Sequence, residues 1–371
     1  MREYDFDMLP IFQNGSFVAD ISYTDLMDFV NRKERGQNLY YHKVNFDLGS
    51  ALVLINENHK KKQRANLTMA MAAVITVALL SVGWVFFRPQ TSIANPENIQ
   101  IMAGSSKAVL TLDNGREIDL KATKNGLLLS ESGIKVIKSA DGQLDYKISA
   151  AQVIGKTVYH TVTTPKGGQY ELSLSDGTKV WLNAGSSIKY PASFASSGNR
   201  TVSLVGEAYF EVAKDKLHPF LVSTKGQQIA VLGTHFAVTA YADESNVKTM
   251  LLEGSVRIDP ANQVLNSVLL KPNQQATLTG NRISIKDVDS DEAIDWKNGE
   301  FIFRKQPLEQ VMQRIARWYD VEVIYEDEQL GKTPIGGYLS KSEQFNEVLK
   351  VLALTAKVQF KVEGRTVTVT K

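Results

Sequence analysis

The chain has 371 residues, 43% of them hydrophobic, and a formal net charge of +2. This length allows two or three domains with cores of their own, and the nearly neutral charge argues against nucleic acid as a direct partner. There is no Cys, which excludes disulfides and any zinc or redox centre built on thiolates.

Residues 1–66 predict a small, partly helical segment. Thr24 is placed to cap a short helix, and six acidic residues lie between Glu3 and Asp28. The acidic residues form either a solvated face of a small bundle or a docking surface for a basic cytoplasmic protein. The residues assigned to such a surface are Asp5, Asp7, Asp20 and Asp25.

Residues 67–87, LTMAMAAVITVALLSVGWVFF, contain no charge. A helix of this length spans roughly 30 Å, the thickness of the hydrocarbon core of a bilayer. A buried helix of a soluble domain is the alternative, but such helices usually keep a polar face. Basic residues at 60–62 and 64 precede the run, whereas the next basic residue after Arg88 is Lys107. The sequence therefore predicts one transmembrane helix with a cytoplasmic N-terminus.

Residues 88–100 hold two of the ten prolines and predict a linker. From 101 to 289, short runs of alternating apolar residues recur between turn residues. Asn114-Gly115 and Asp176-Gly177 each predict a hairpin turn. Many strands without intervening amphipathic helices favour an all-β sandwich, barrel or solenoid over a nucleotide-binding domain.

Residues 290–371 change to a mixed pattern that predicts a small α/β domain. One helix has Pro307 in its first turn and an apolar face that includes Leu308 and Trp318. We expect two βαβ units and a final strand, with strands at 300–303, 321–325, 335–339, 358–362 and 366–370, and the second helix at 343–354.

The sequence offers little catalytic chemistry. The five His are scattered, and no metal, nucleophile-elbow or phosphate-loop motif is present, so we expect no metal and no cofactor. Glu207 and Glu211 would lie about 13 Å apart on one strand, whereas a retaining glycosidase pair needs roughly 5 Å. In VLGTHFAV, the hydroxyl of Thr234 could attack the carbonyl of Gly233 and exchange the amide for an ester that water then cleaves, with His235 moving the proton. The same Gly-Thr pair is also an ordinary bulge or turn.

Several ordered motifs resemble the periplasmic FecR domain of bacterial transmembrane anti-sigma factors. They are LSDGTKVWLNAGSSIKYPASF, RTVSLVGEAYFEVAKDKLHPFLV, VLGTHFAVTAY, LLEGSVRI and LKPNQQATL. The stretch WKNGEFIFRKQPLEQVMQRIARWYDVEVIYED is similar to the C-terminal domain of Bacteroides-type members, which resembles the secretin and TonB short N-terminal fold. The resemblance covers about residues 155–371.

The resemblance implies a membrane-anchored, multidomain regulator of the bacterial inner membrane. Residues 1–66 would bind an extracytoplasmic-function sigma factor, and the periplasmic part would receive a signal from a TonB-dependent outer-membrane transducer. The result would be control of genes for nutrient or iron uptake. Some relatives cleave themselves at the Gly-Thr that matches Gly233 and Thr234, and membrane proteolysis then releases the cytoplasmic segment.

Two other functions stay open from the sequence. A membrane-anchored carbohydrate-binding or scaffold protein would present aromatic platforms, for which Trp181, Tyr190 and Tyr209 are candidates. An envelope enzyme that acts on glycans is disfavoured because no convergent catalytic site is recognisable.

Overall fold

The structure is a computed structural model that describes residues 8–13, 16–22, 101–131, 133–148, 157–195, 198–262 and 264–371. The chain divides into two compact units, Met1–Thr91 and Ser92–Lys371. The predicted membrane span 67–87, the linker 88–100 and the predicted helix after Thr24 lie outside the described residues. Among the helices that are described, none combines the length and the apolar character needed to cross a membrane.

The described part of residues 1–66 is a β-hairpin, which the prediction of a small, partly helical segment did not include. Strand β1 (Met8–Gln13) pairs antiparallel with β2 (Ser16–Ser22). Asn14 and Gly15 stand between the two strands, and this dipeptide is the preferred pair of a two-residue hairpin loop.

Residues 101–289 form a β domain of two sheets, as the alternating pattern predicts. Sheet 1 contains, in spatial order, β5 (Glu117–Asp119), β4 (Val109–Thr111), β9 (Tyr159–Thr163), β12 (Ser187–Pro191), the first half of β13 (Arg200–Glu211), β14 (Phe220–Thr224), β15 (Gln227–Val231), β18 (Val256–Pro260) and β19 (Val268–Leu270). Sheet 2 contains β6 (Gly126–Glu131), β7 (Ile134–Lys138), β8 (Leu144–Ile148), β10 (Gly168–Ser173), β11 (Lys179–Leu182), the second half of β13, β16 (His235–Ala240), β17 (Asn246–Glu253), β20 (Gln274–Thr279) and β21 (Arg282–Asp287). The short strand β3 (Ser105–Ser106) lies parallel to β10.

Strand β13 joins the two sheets because it passes from one to the other at Gly206. Its first half pairs with β12 and β14, and its second half pairs with β11 and β16. Gly206 has φ of +97°, and a Cβ there would lie 2.4 Å from the Ser186 Oγ. Only glycine fits this crossing. The apolar side chains of both sheets meet in one core, in which Phe210 and Phe236 stack with ring centres 4.9 Å apart.

The two predicted hairpin turns are confirmed. Strands β4 and β5 flank Asn114-Gly115, and β10 and β11 flank Asp176-Gly177. By contrast, the stretch QIAVLGTHFAVTAY does not make one strand, because it breaks at 232–234 between β15 and β16.

Residues 290–371 form the C-terminal domain with the predicted order of elements but a different strand pairing. The elements are α1 (Ser290–Ile294), β22 (Glu300–Pro307), α2 (Leu308–Tyr319), β23 (Glu322–Tyr325), a 3-10 turn (Leu330–Lys332), β24 (Pro334–Ser340), α3 (Phe345–Ala356), β25 (Gln359–Glu363) and β26 (Thr366–Thr370). Helix α2 buries the predicted apolar face. The expected βαβ units do not close within one sheet: β22 pairs antiparallel with β24, while β23 lies parallel to the final strand β26, which also pairs with β25.

Candidate functional site

The C-terminal domain is attached to the β domain by Arg317, in the last turn of α2. Its Nη1 donates to Glu244 at 2.7 Å, and its Nη2 donates to Asp243 at 2.9 and 3.0 Å. The guanidinium carbon lies 3.7 Å from the centre of the Tyr241 ring. The side chains of Arg317 and Glu244 are 10% and 15% exposed, so solvent screens their contact less than a surface ion pair, whereas Asp243 is 73% exposed and its contact is screened more. Arg317 is thus the main charged anchor between the domains.

Lys341 is a second anchor and is buried among aromatic rings. Its Nζ lies 3.6 Å from the centre of the Trp318 ring and donates to the Gln169 Oε1 at 3.0 Å and the Trp296 backbone oxygen at 3.1 Å. The residue is 3% exposed. Burial lowers the pKa of Lys341 to about 7, although the nearby Glu207 and Asp295 carboxylates oppose this shift.

A buried ion pair fixes the C-terminal domain internally, next to these anchors. The Asp295 carboxylate is fully buried and accepts from the Arg314 Nη2 at 2.6 Å on each oxygen. It also accepts from the backbone N–H groups of Trp296 and Ile302. Burial raises the pKa of Asp295, and Arg314 opposes this shift. Because the Arg314 side chain is 23% exposed, the desolvation cost of the pair falls mainly on the carboxylate.

A polar cleft of about 360 Å³ opens between sheet 2 and helices α1 and α2. Glu207 lies at this cleft and accepts hydrogen bonds from the Asn183 Nδ2 at 2.6 Å and the Thr239 Oγ1 at 3.1 Å. Glu207 is therefore a structural carboxylate beside the domain junction. The part of the chain that the structure describes holds no group of three or more His, Asp or Glu suited to a metal ion.

The structure places Gly233 and Thr234 at the other end of β16 from Tyr241, which the rise of a strand puts roughly 20 Å away. Gly233 has φ of +145°, and a Cβ there would lie 2.5 Å from the Lys214 Cγ and 2.7 Å from its Cα. Thr234 is 3% exposed, and its Oγ1 donates to the Ser255 backbone oxygen at 3.1 Å. The backbone at this position therefore requires glycine, and the hydroxyl is held in a buried hydrogen bond.

His235, the predicted proton carrier, does not contact the Thr234 hydroxyl in this geometry. Its Nδ1 instead lies 3.5 Å from the Oε2 of Glu253 on the neighbouring strand β17, and the imidazole is 41% exposed. Glu211 lies on the same strand as Glu207, opposite His235 and at the far end from the cleft, so the structure does not bring the two carboxylates together.

The aromatic residues considered as carbohydrate platforms do not offer free ring faces. Tyr190 is 1% exposed and its hydroxyl bonds to that of Tyr146, while Tyr209 is 5% exposed. Trp181 is half-buried, and the Lys297 Nζ lies 4.4 Å from the centre of its ring.

Of the four acidic residues assigned to partner binding, Asp20 lies on β2 opposite Pro10. Asp5, Asp7 and Asp25 lie outside the described residues. Arg317 and Lys341 are not recognisable as functional residues from the sequence, because their partners are far away in the chain. The only local signal is a basic residue next to the buried Trp318 on an otherwise apolar helix face.

Comparison with known proteins agrees with this architecture. Residues 160–257 match the family model described as FecR protein, and residues 300–369 match the one described as FecR, C-terminal. Two crystal structures of proteins assigned as anti-sigma factors from Parabacteroides distasonis are similar to the chain, each with a TM-score of 0.53. They share 26% and 27% identity, over 57% of this chain and 99% or 98% of theirs. No protein of curated function matches the sequence.

The fold and these matches define residues 101–371 as a FecR domain followed by its C-terminal companion. In this combination the chain is similar to the anti-sigma factors of the two crystal structures. The resemblance recognised in the sequence motifs is thereby confirmed.

Proposed function

We propose that this protein is a single-pass inner-membrane anti-sigma factor that links a periplasmic signal to transcription. Residues 1–66 hold an extracytoplasmic-function sigma factor in the cytoplasm, and the β and C-terminal domains lie in the periplasm. The observation that carries the proposal is the order of the segments. A FecR domain and its C-terminal companion form one compact unit, and both follow a 21-residue uncharged run with basic residues on its N-terminal side.

The proposed source of the signal is the signalling domain of a TonB-dependent outer-membrane receptor. The three-stranded sheet of the C-terminal domain offers a place for it. Among the described residues, β23 and β25 pair only with β26, so each leaves one strand edge free. Ile324 on β23 is 53% exposed on the outer face of this sheet. A free edge beside an exposed apolar side chain suits the addition of a strand from a partner.

The proposed output is release of the sigma factor. A single transmembrane helix transmits a conformational change poorly. Cleavage of the chain is therefore the more suitable way to couple the periplasmic signal to release of the sigma factor. Scission at Gly233-Thr234 and later cleavage by envelope proteases are the proposed steps. No direct contact with nucleic acid is part of the proposal, because the chain carries almost no net charge.

The sigma-factor step is tested by co-purifying residues 1–66 with the sigma factor encoded nearest to this gene. Binding together with repression of the target promoter supports an anti-sigma factor, and binding with activation indicates a pro-sigma role. A variant with Asp5, Asp7, Asp20 and Asp25 all changed to Asn tests the acidic surface, which should speed association through electrostatic steering. Unchanged binding by that variant would refute this surface.

The receptor step is tested with the signalling domain of the receptor encoded beside the gene. We expect Ile324→Glu to weaken its binding to the full chain at least tenfold. Leu354→Glu is the matched control, because Leu354 is also exposed, at 77%, but lies on α3 and not on a strand edge. Equal loss in both variants would contradict strand addition at β23.

A further inference from the structure

The first residues after the linker are held by the last domain of the chain. Residues 101–104, here called the strap, precede β3 and belong to no helix or strand. Ile101 is 8% exposed and belongs to the core of the C-terminal domain, and Ala103 packs against that same core, whereas Met102 points to solvent. The strap begins the β domain in sequence, yet Ile101 is buried by residues that lie some 200 positions later.

The backbone of the strap lies directly on Trp318. A Cβ on Gly104 would be 2.5 Å from the Trp318 Cε3 and 2.6 Å from its Cζ3, so only glycine allows this approach. The same indole has its Nε1 bonded to the Lys341 backbone oxygen at 2.8 Å, and the Lys341 Nζ lies over its ring. The surface that the strap touches is therefore fixed by the junction between the domains.

A short chain of backbone hydrogen bonds connects the strap to α2 through the loop before β10. The Ser105 N–H donates to the Gly167 oxygen at 2.9 Å, and the Gly167 N–H donates to the Arg317 oxygen at 2.7 Å. The Arg317 side chain also bonds to Asp243 and Glu244. Arg317 therefore contributes its side chain to the domain junction and its backbone oxygen to the hydrogen bonds that hold the strap.

We propose that the C-terminal domain is a clasp on the strap, so that displacing this domain from the β domain frees residues 101–104 and leaves residues 105–107 held by their pairing with β10 alone, in a segment more accessible to proteases. The C-terminal domain would hold residues 101–104 whether or not the protein binds a sigma factor. Only the regulatory use of this contact rests on the proposed function. A partner that docks on the C-terminal domain would then control access to the chain close to the predicted membrane span.

Two variants test the clasp from its two sides, in the full chain reconstituted in lipid nanodiscs. Gly104→Val removes the close approach to Trp318, and Arg317→Gln removes the charged contacts to Asp243 and Glu244 without changing any strap residue. Gly198→Val is the matched control, because nothing lies within 4 Å of a Cβ at that position. The readouts are hydrogen exchange of the Ser105 and Gly167 amides and the rate of trypsin cleavage after Lys107.

We expect both test variants to raise exchange at Ser105 and cleavage after Lys107 roughly tenfold, while β13 keeps the protection of the unchanged protein. The control should leave both rates unchanged. The clasp is refuted if Arg317→Gln raises exchange in α2 and leaves Ser105 protected, since the C-terminal domain would then move without releasing the strap. It is also refuted if neither variant changes Ser105. Neither readout involves a sigma factor, so failure here is distinct from failure of the proposed function.

Discussion

The buried pair of Asp295 and Arg314 gives the sharpest stability prediction, with Asp295→Asn as the perturbation. The substitution keeps the shape of the side chain but removes its charge. It also replaces one acceptor oxygen by an NH₂ group, which is a donor. That group would face the N–H donors of Arg314, Trp296 or Ile302 and could not accept their hydrogen bonds.

The magnitude follows from burial. Removing one partner of a buried ion pair costs about 3–5 kcal/mol, because the remaining charge loses its compensation. Asp295 is fully buried, but the Arg314 side chain is 23% exposed and regains some hydration. We therefore expect the low end, a loss of about 3 kcal/mol in the free energy of unfolding.

The assay is urea unfolding of residues 92–371, followed by tryptophan fluorescence, which reports on the adjacent Trp296. Asp289→Asn is the matched control: Asp289 pairs with Arg304 in the same region, but its side chain is 41% exposed, so we expect a loss of at most about 1 kcal/mol. If the Asp295 variant loses no more than this control, the buried pair does not hold the C-terminal domain as described.

Three further predictions concern single residues. Burial lowers the pKa of His160 from 6.5 to about 4, so stability present above pH 6.5 should be lost as pH falls towards 4, by at most about 3 kcal/mol. His160→Gln should flatten this dependence in urea midpoints measured from pH 7 to 4. Because the pKa of Lys341 is lowered from 10.5 to about 7, stability should rise as pH increases from 7 towards 10.5. Lys341→Met should abolish that rise in the same assay, and a persistent slope would contradict it. Finally, a gel of the membrane-bound full chain should show fragments that end at Gly233 and begin at Thr234. Thr234→Ala should abolish these fragments and Thr234→Ser should retain them; their persistence in the alanine variant would exclude attack by the hydroxyl.

Local signals in the sequence predict local structure well here. Asn114-Gly115 and Asp176-Gly177 are found between paired strands because a two-residue turn is decided by residues next to one another. Helix α2 is predicted for the same reason, since its apolar stripe repeats at the helical period. The hairpin of β1 and β2 has an equally local signal in Asn14-Gly15, the residues between its strands.

Strand partners and the domain junction could not be predicted, because they depend on contacts between distant residues. Nothing near Gly206 in the sequence indicates that β13 divides between two sheets; the reason is the close approach of Ser186. Likewise, β22 pairs with β24, more than 25 residues later, and not with β23, and no residue close to either strand indicates that partner.

The candidate site shows the same limit. Gly233-Thr234 was recognisable from chemistry, and the structure adds that the glycine is required by the nearby Lys214 backbone. Arg317 connects the two domains by pairing with Asp243 and Glu244, which lie more than 70 positions earlier in the chain, so its role is not visible in the local sequence.

The most direct test of the account measures transcription from the promoter of the neighbouring sigma factor in cells. Three strains are compared: one with the full chain, one without it, and one with residues 1–87 alone. The account predicts that the full chain makes transcription depend on the inducing receptor, whereas residues 1–87 give a fixed level that the receptor does not change. If transcription follows the receptor equally in all three strains, this protein does not link the two membranes to the sigma factor, and the central claim is wrong.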